Sequence, residues 1–458
     1  MAQAKESTQY QRMMETPIPR LVTALALPTV ISMIISVIYN TADTYFVSQI
    51  NKSASAAVGA VFSVMSLIQA VGFGFAMGAG SLVSLRLGEK KKADADRYAS
   101  SAFFAAILIG GLVGGLGLLF LEPMLKLLGC SKTMLPYAIP YARYILLAAP
   151  ISCSTFVLNN TLRSEGHALF SMIGMGFGGI LNLILDPILI FGFHMDTGGA
   201  ALATAISQLT SFLILLSMFL LGRSEVSLHP RHVSRTLADY KKIVLTGLPT
   251  VCRQGLGSVA SAVLNIQAVV YGDATVAAIS IANKVYMLVR NVVVGIGQGF
   301  QPVAGYNYGA GNKRRTWQAF RFASLLGTAF CLIATVGIAL LAEPLLWWFC
   351  DDAEVALIGR ETLLFFCIAI PMMAISTYVN MLLQSLGFRL SASLLASCRQ
   401  GFFFFPLVLL LPLFFQRTGV QITQAGADIL TFLISVPVVI RFYRRHLRET
   451  DGDGKKTA

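Results

Sequence analysis

Charge is what this chain of 458 residues has least of. Asp, Glu, Lys and Arg make up 12% of it, against roughly 25% in soluble globular proteins. With 55% hydrophobic residues, too little polar surface remains to cover a water-soluble fold of this length. Other absences narrow the class further. The polar–apolar alternation of barrel strands is missing, and apolar stretches of about 20 residues recur, each long enough for the hydrocarbon core. In lipid such stretches are helical, because a helix satisfies its own backbone hydrogen bonds. There is no GxxxxGK[ST] segment and no soluble domain long enough to hydrolyse ATP, so any transport must draw on an ion gradient. The seven cysteines show no CxxC or metal spacing: Cys153, Cys252, Cys331, Cys367 and Cys398 lie in apolar stretches, and Cys130 and Cys350 fall in loops as free thiols. His229 and His232 have a metal-like spacing without partners and belong to a solvated loop. The first apolar stretch lacks a small-residue cleavage site and is an uncleaved helix.

Twelve spans are expected, at about 20–48, 55–87, 98–121, 134–160, 167–193, 197–222, 241–270, 276–307, 318–342, 357–384, 390–414 and 421–443. The formal net charge of +13 does not point to nucleic acid, because most basic residues sit between spans. Of the 35 Lys and Arg, 25 fall on the side of both termini and 6 on the other. That asymmetry places the termini in the cytoplasm. The polar connection 223–240, with Arg223, Arg231 and Arg235, is the linker between halves and a candidate for a short surface helix.

The halves repeat. One ungapped shift along the chain lays Leu27-Pro28-Thr29-Val30 on Leu248-Pro249-Thr250-Val251, Gly74 on Gly295, and Gly78 on Gly299. The same shift lays Glu122-Pro123 on Glu343-Pro344, Pro150 on Pro371, Asn159 on Asn380 and Gly166 on Gly387. Six spans per half is an even number, so both halves insert the same way and are related by a two-fold axis along the membrane normal. The expected fold is therefore an all-α polytopic membrane protein with two six-helix lobes. Its N-terminal lobe is 1–222, its linker 223–240, its C-terminal lobe 241–445 and its cytoplasmic tail 446–458.

Ionisable residues deep in spans carry the chemistry, since each costs about 2.5–3.5 kcal/mol at a helix centre. Asp43 ends the segment Tyr39-Asn40-Thr41-Ala42-Asp43, and Asp186 lies four residues after Asn182, on the same helix face. Thr204 adds a hydroxyl at similar depth. These oxygens suit a proton or a hard cation such as Na⁺. The repeat supplies a control: Asp43, Asn182, Asp186 and Thr204 fall on Leu264, Phe403, Leu407 and Ala425. Scaffold residues should persist in both copies, as the glycines and prolines do, so the four read as functional. Asn159, kept as Asn380, reads by the same logic as structural. Coupling is thus expected in the N-terminal half alone. Tyr39, Asn40, Gln69, Asn265 and Gln298 are candidates for a substrate cavity. Pro28 is either a hinge or a static kink in the first helix. The run Gly72-Phe73-Gly74-Phe75-Ala76-Met77-Gly78-Ala79-Gly80 serves close helix packing rather than nucleotide binding.

Four segments carry a family resemblance: Tyr39-Asn40-Thr41-Ala42-Asp43-Thr44-Tyr45-Phe46-Val47; Ala56-Ala57-Val58-Gly59; Ser84-Leu85-Arg86-Leu87-Gly88-Glu89; and Gly297-Gln298-Gly299-Phe300-Gln301-Pro302-Val303-Ala304-Gly305-Tyr306-Asn307-Tyr308-Gly309-Ala310. The chain resembles the multidrug and toxic compound extrusion (MATE) family over nearly its whole length. It is similar to the DinF-like or bacterial multidrug branch more than to the NorM-like one. The latter keeps carboxylates in the seventh and tenth spans, where this chain has Gln254, Asn265 and Asn380. The resemblance implies a V-shaped pair of lobes in a bacterial cytoplasmic membrane, acting as a monomer among lipids with no cofactor. It also implies export of cationic amphipathic compounds in antiport with H⁺ or Na⁺. The family's coupling residues match Asp43, Asn182, Asp186, Thr204 and Asn159, so the two lines part only over Asn159. The alternative is a flippase for lipids or lipid-linked oligosaccharides, which should line its cavity with several basic residues. Here Arg253, Lys284, Arg290 and Arg399 are the basic residues within spans.

Overall fold

A computed structural model describes residues 2–349 and 352–447. Cys350 and the tail from residue 448, with Arg448, Lys455 and Lys456, lie outside the described residues. Before the linker come α1 (Ala2–Glu15), α2 (Ile18–Ser48), α3 (Lys52–Gly88), α4 (Lys92–Leu119), α5 (Leu121–Leu127), α6 (Leu135–Ser164), α7 (Ala168–Pro187) and α8 (Asp196–Leu220). After it come α9 (Leu237–Val269), α10 (Asp273–Gly309), α11 (Lys313–Phe349), α12 (Ala353–Ser385), α13 (Arg389–Ser397) and α14 (Phe404–Phe442). Ten stretches are long and apolar enough to cross a membrane by composition alone. Adding α9, and dividing the last stretch at Gln416 (φ 50°, ψ −130°), brings the spans to twelve.

The repeat is written into the helix bounds. The shift that carries Leu27 onto Leu248 also carries the start of α3, Lys52, onto the start of α10, Asp273, and their ends, Gly88 onto Gly309. The starts of α4 and α11 and the ends of α6 and α12 keep the same spacing. After α6 and α12 the chain turns on Gly166 (φ 93°) and Gly387 (φ 84°), a left-handed conformation that glycine adopts without a Cβ penalty.

Two compact units emerge, and the chain changes unit three times, each time inside a helix: after Tyr10 within α1, after Val30 within α2 and after Val251 within α9. One unit is Met1–Tyr10 with Ile31–Val251; the other is Gln11–Val30 with Cys252–Ala458. The later two, after Val30 and after Val251, are positions that the repeat makes equivalent. Both of these come just after a proline, Pro28 or Pro249. In the first unit α6 is the hub, packed by α3, α4, α7 and α8. The first half of α9 lies close against α3: a Cβ at Gly78 would meet the Ile243 carbonyl, and one at Gly247 would meet the Gly74 carbonyl. In the second unit α12 is the hub, packed by α10, α11, α13 and α14. There the first half of α2 lies on α10, where a Cβ at Gly299 would stand 2.5 Å from Ala26 Cα and one at Gly295 2.9 Å from Val30 Cα. The small residues are thus packing surfaces, as helix association in lipid requires.

The linker forms a single 3₁₀ turn, Pro230–His232, rather than a surface helix. Its backbone is engaged elsewhere. Ser227 N–H donates to Asp96 (2.7 Å), His229 N–H to Ser100 Oγ (3.2 Å) and Ser234 N–H to Ser101 Oγ (2.8 Å), so one face of α4 holds it extended. Glu165, fully buried, accepts from Glu225 N–H (2.8 Å) and Ser224 Oγ (2.8 Å), which ties the linker to the end of α6. His229 and His232 are exposed. The six described cysteines are unpaired, and Cys130 is buried.

Candidate functional site

Asn182 and Asp186 sit on α7, one turn apart, at its C-terminal end, where Pro187 cannot donate a helical hydrogen bond. The helix widens there into a π turn, with Phe193 N–H donating to Ile188 C=O at 3.0 Å. Asp186 is fully buried and Asn182 is 3% exposed. Asn182 Nδ2 donates to Asp186 Oδ1 (3.2 Å) and lies 3.4 Å from Thr204 Oγ1 on α8. Asp43 on α2 is half-buried, within electrostatic range of Asp186, and Tyr141 of α6 stands beside its carboxylate. The first unit therefore brings Asp43, Asn182, Asp186 and Thr204 into one neighbourhood. Asn182 and Thr204 also line a cavity with Tyr39, Ser207 and Gln208.

The neighbourhood is rich in acceptors. Asp43 Oδ1, Asn182 Oδ1, Asp186 Oδ2, Ser207 Oγ and Gln208 Oε1 are buried without a hydrogen-bond partner among the described residues. Unsatisfied buried oxygens are costly, and two carboxylates in a weakly screened site repel when both are ionised. A proton or a hard cation relieves both penalties.

Asn159 is used otherwise. Its Nδ2 donates to the Ser171 carbonyl (3.1 Å), and Asn380 makes the repeat-equivalent bond to the Ala392 carbonyl (2.6 Å). A bond present in both copies is part of the shared frame. Among the remaining cavity candidates, Gln69 is half-buried, Gln298 is buried, and Asn40 and Asn265 are exposed, with the Asn40 amide donating to the Ser36 carbonyl. Pro28 lies inside a continuous α2, shortly before the chain changes unit.

Sequence reasoning missed a second ionic centre, in the other unit. Asp428 of α14 is 1% exposed and accepts from Arg399 Nε at 2.6 Å. Tyr286 of α10 donates to the other carboxylate oxygen of Asp428 and accepts from Arg399. Arg399 lies in a π turn, Cys398–Phe402, between α13 and α14. A signal existed. The repeat pairs Arg399 with Gly178 and Asp428 with Ser207, both of which line the cavity of the first unit. Asking which polar residues of the second half lack counterparts in the first would have found them.

The likeness to known proteins follows the same lines. The MatE family model matches twice, at 28–188 and 249–410, so its two matches begin on the repeat-equivalent prolines Pro28 and Pro249. The multidrug export protein MepA of Staphylococcus haemolyticus is 26% identical over 408 residues, covering 89% of this chain and 90% of the relative. A protein named FAD transporter from Shewanella oneidensis is 27% identical over 368 residues, 78% of this chain and 79% of its own length. Among solved structures, an outward-facing multidrug resistance MATE family transporter superposes with a TM-score of 0.89 at 24% identity, covering 94% of this chain and 98% of that one. Matched by the family model over both halves, this twelve-span membrane protein belongs to the MatE family and is a transporter, not an enzyme.

Proposed function

We propose that the protein is a secondary active exporter in a bacterial cytoplasmic membrane, with both termini in the cytoplasm. It expels amphipathic compounds, cations among them, in exchange for H⁺ or Na⁺. The observation that carries this reading is the set of orphaned buried oxygens on Asp43, Asn182 and Asp186, beside Thr204. An incoming proton or Na⁺ is held there, neutralises the carboxylates, and lets α2 repack so that cargo leaves outward. The multidrug export name of the staphylococcal relative supports a broad substrate range, and the name of the Shewanella relative extends it to a large flavin nucleotide. Export of soluble compounds is favoured over lipid flipping by those same names.

The test is dye efflux from proteoliposomes, with a pH gradient and a Na⁺ gradient imposed separately. The wild type is expected to expel a cationic dye under one of them. Asp43→Asn and Asp186→Asn are each expected to lower that rate about 5- to 150-fold, the range of a typical coupling free energy. Full-rate efflux by both variants, at normal expression, sinks the proposal.

A further inference from the structure

The spans of the second unit gather charge of the opposite sign to the Asp43 and Asp186 carboxylates in the spans of the first. Arg253, Arg290 and Arg399 all lie in its spans, together with Asp428. Leu256, three residues after Arg253 on α9, packs on Gly401 in the π turn that holds Arg399. Arg290 follows Tyr286 by one turn of α10, and Tyr286 bonds both Arg399 and Asp428. Arg253 lies within electrostatic range of Arg290 and Arg399, and Arg290 within range of Arg399 and Asp428. Three guanidiniums thus share one neighbourhood, two of them within range of a single carboxylate.

The pairing leaves positive charge over. Arg399 is matched by Asp428, but Arg253 is not: its Nη1 is buried with no hydrogen-bond partner among the described residues. A buried guanidinium nitrogen without an acceptor is costly, and ionisable residues within spans mark substrate or ion pathways. The formal excess is two positive charges, close to the negative charge of about 1.5 to 2 on a phosphate monoester at pH 7. Guanidinium forks match phosphate oxygens in bidentate geometry.

The repeat shows that this polarity belongs to one copy alone. Arg253, Arg290 and Arg399 stand where the first copy has Ser32, Gln69 and Gly178, all uncharged. Arg399 and Asp428 occupy the positions whose counterparts, Gly178 and Ser207, border the cavity of the first unit. What is a cation-seeking neighbourhood in one copy is an anion-seeking one in the other.

We propose that Arg253, Arg290 and Arg399 form a subsite in the second unit for the phosphate group of an exported amphipathic compound, with Asp428 and Tyr286 fixing the orientation of Arg399. The proposal rests on the export reading and deepens it: the first unit takes the coupling ion, and the second takes the anionic handle of the cargo. Lost phosphate recognition leaves the export of cations intact.

Flavin mononucleotide and riboflavin differ by one phosphate and are both fluorescent, so binding to the purified full-length protein tests the subsite directly. Wild type is expected to bind flavin mononucleotide about tenfold or more tightly than riboflavin, as charge-assisted hydrogen bonds imply. Arg253→Gln and Arg290→Gln are expected to abolish that preference while riboflavin affinity and melting temperature hold. Arg253→Lys, which keeps the charge without the fork, should retain part of it. The subsite is overturned if wild type fails to distinguish the two flavins, or if both Gln variants keep the full preference. Cationic dye efflux in parallel separates the two readings. Dye export without flavin discrimination defeats the subsite alone, and discrimination without any dye export defeats the cation-export reading and leaves the subsite standing.

Discussion

Arg399 and Asp428 illustrate how a charge survives in lipid. Each is nearly inaccessible, and each satisfies the other, with Tyr286 closing the triangle. Removing one partner is worse than removing both, because it strands a buried charge at a cost of about 3–5 kcal/mol. Asp428→Asn is therefore expected to lower the melting temperature of the detergent-purified protein sharply, whereas Arg399→Met combined with Asp428→Leu should recover most of that loss. Equal damage from the single and double variants would show that the pair contributes nothing as a pair. The four coupling candidates of the first half were legible because the second copy replaces them with apolar residues. The ionic centre of the second half was not, because its charged residues have small uncharged counterparts, Gly178 and Ser207, that carry no signal in the first half. An Arg in a span, read alone, looks like a residue reaching toward the headgroups. Only the fold shows that Arg399 is turned inward onto an acid 29 residues away.

Helix crossings and the linker set the next constraints. Gly247 and Gly74 approach so closely that any side chain at Gly247 would press on backbone, which cannot rotate away. Gly247→Ala is expected to destabilise the folded protein by about 1–3 kcal/mol, the usual range for overpacking. Gly59→Ala, with nothing within 4 Å of the added carbon, should be neutral. Thermal unfolding of the two variants side by side distinguishes a tight crossing from a general intolerance of alanine. The linker makes a pH-dependent contribution. Burial pushes Glu165 from 4.5 up to about 8, against the hydrogen bonds from Glu225 and Ser224 that act to lower it. A carboxyl with a higher pKa folded than unfolded holds its proton more tightly in the folded state, so stability falls as pH rises between those two values. The melting temperature is expected to decline from pH 5 to pH 8, about the window those two pKa values define, and Glu165→Gln should flatten the decline. An unchanged slope in the variant would remove Glu165 as the cause. Span positions were readable from apolar length, but the extended linker was not: it depends on Asp96, Ser100 and Ser101 of α4, four helices earlier in the chain.

Neither six-helix half of the chain contains a whole unit. The first compact unit needs residues 237–251, which follow the linker, and the second needs Gln11–Val30, which precede it. A sequence of apolar helices cannot reveal such an exchange, because the faces of α2 and α9 are equally greasy whichever neighbour they meet. Cutting the chain within 223–236 is therefore expected to give two fragments that are degraded when expressed singly and accumulate when expressed together. Stable accumulation of either fragment alone would mean that the borrowed half-helices are dispensable. The exchange also bears on how the molecule came to have two polarities. A six-helix ancestor trading the front half of its first helix with a twin would have been a swapped homodimer, compelled by symmetry to carry the same charge on both sides. Once the twins share one gene, that compulsion ends, while the traded half-helices keep the copies bound as partners. One copy is then at liberty to become acidic and the other basic without either coming loose.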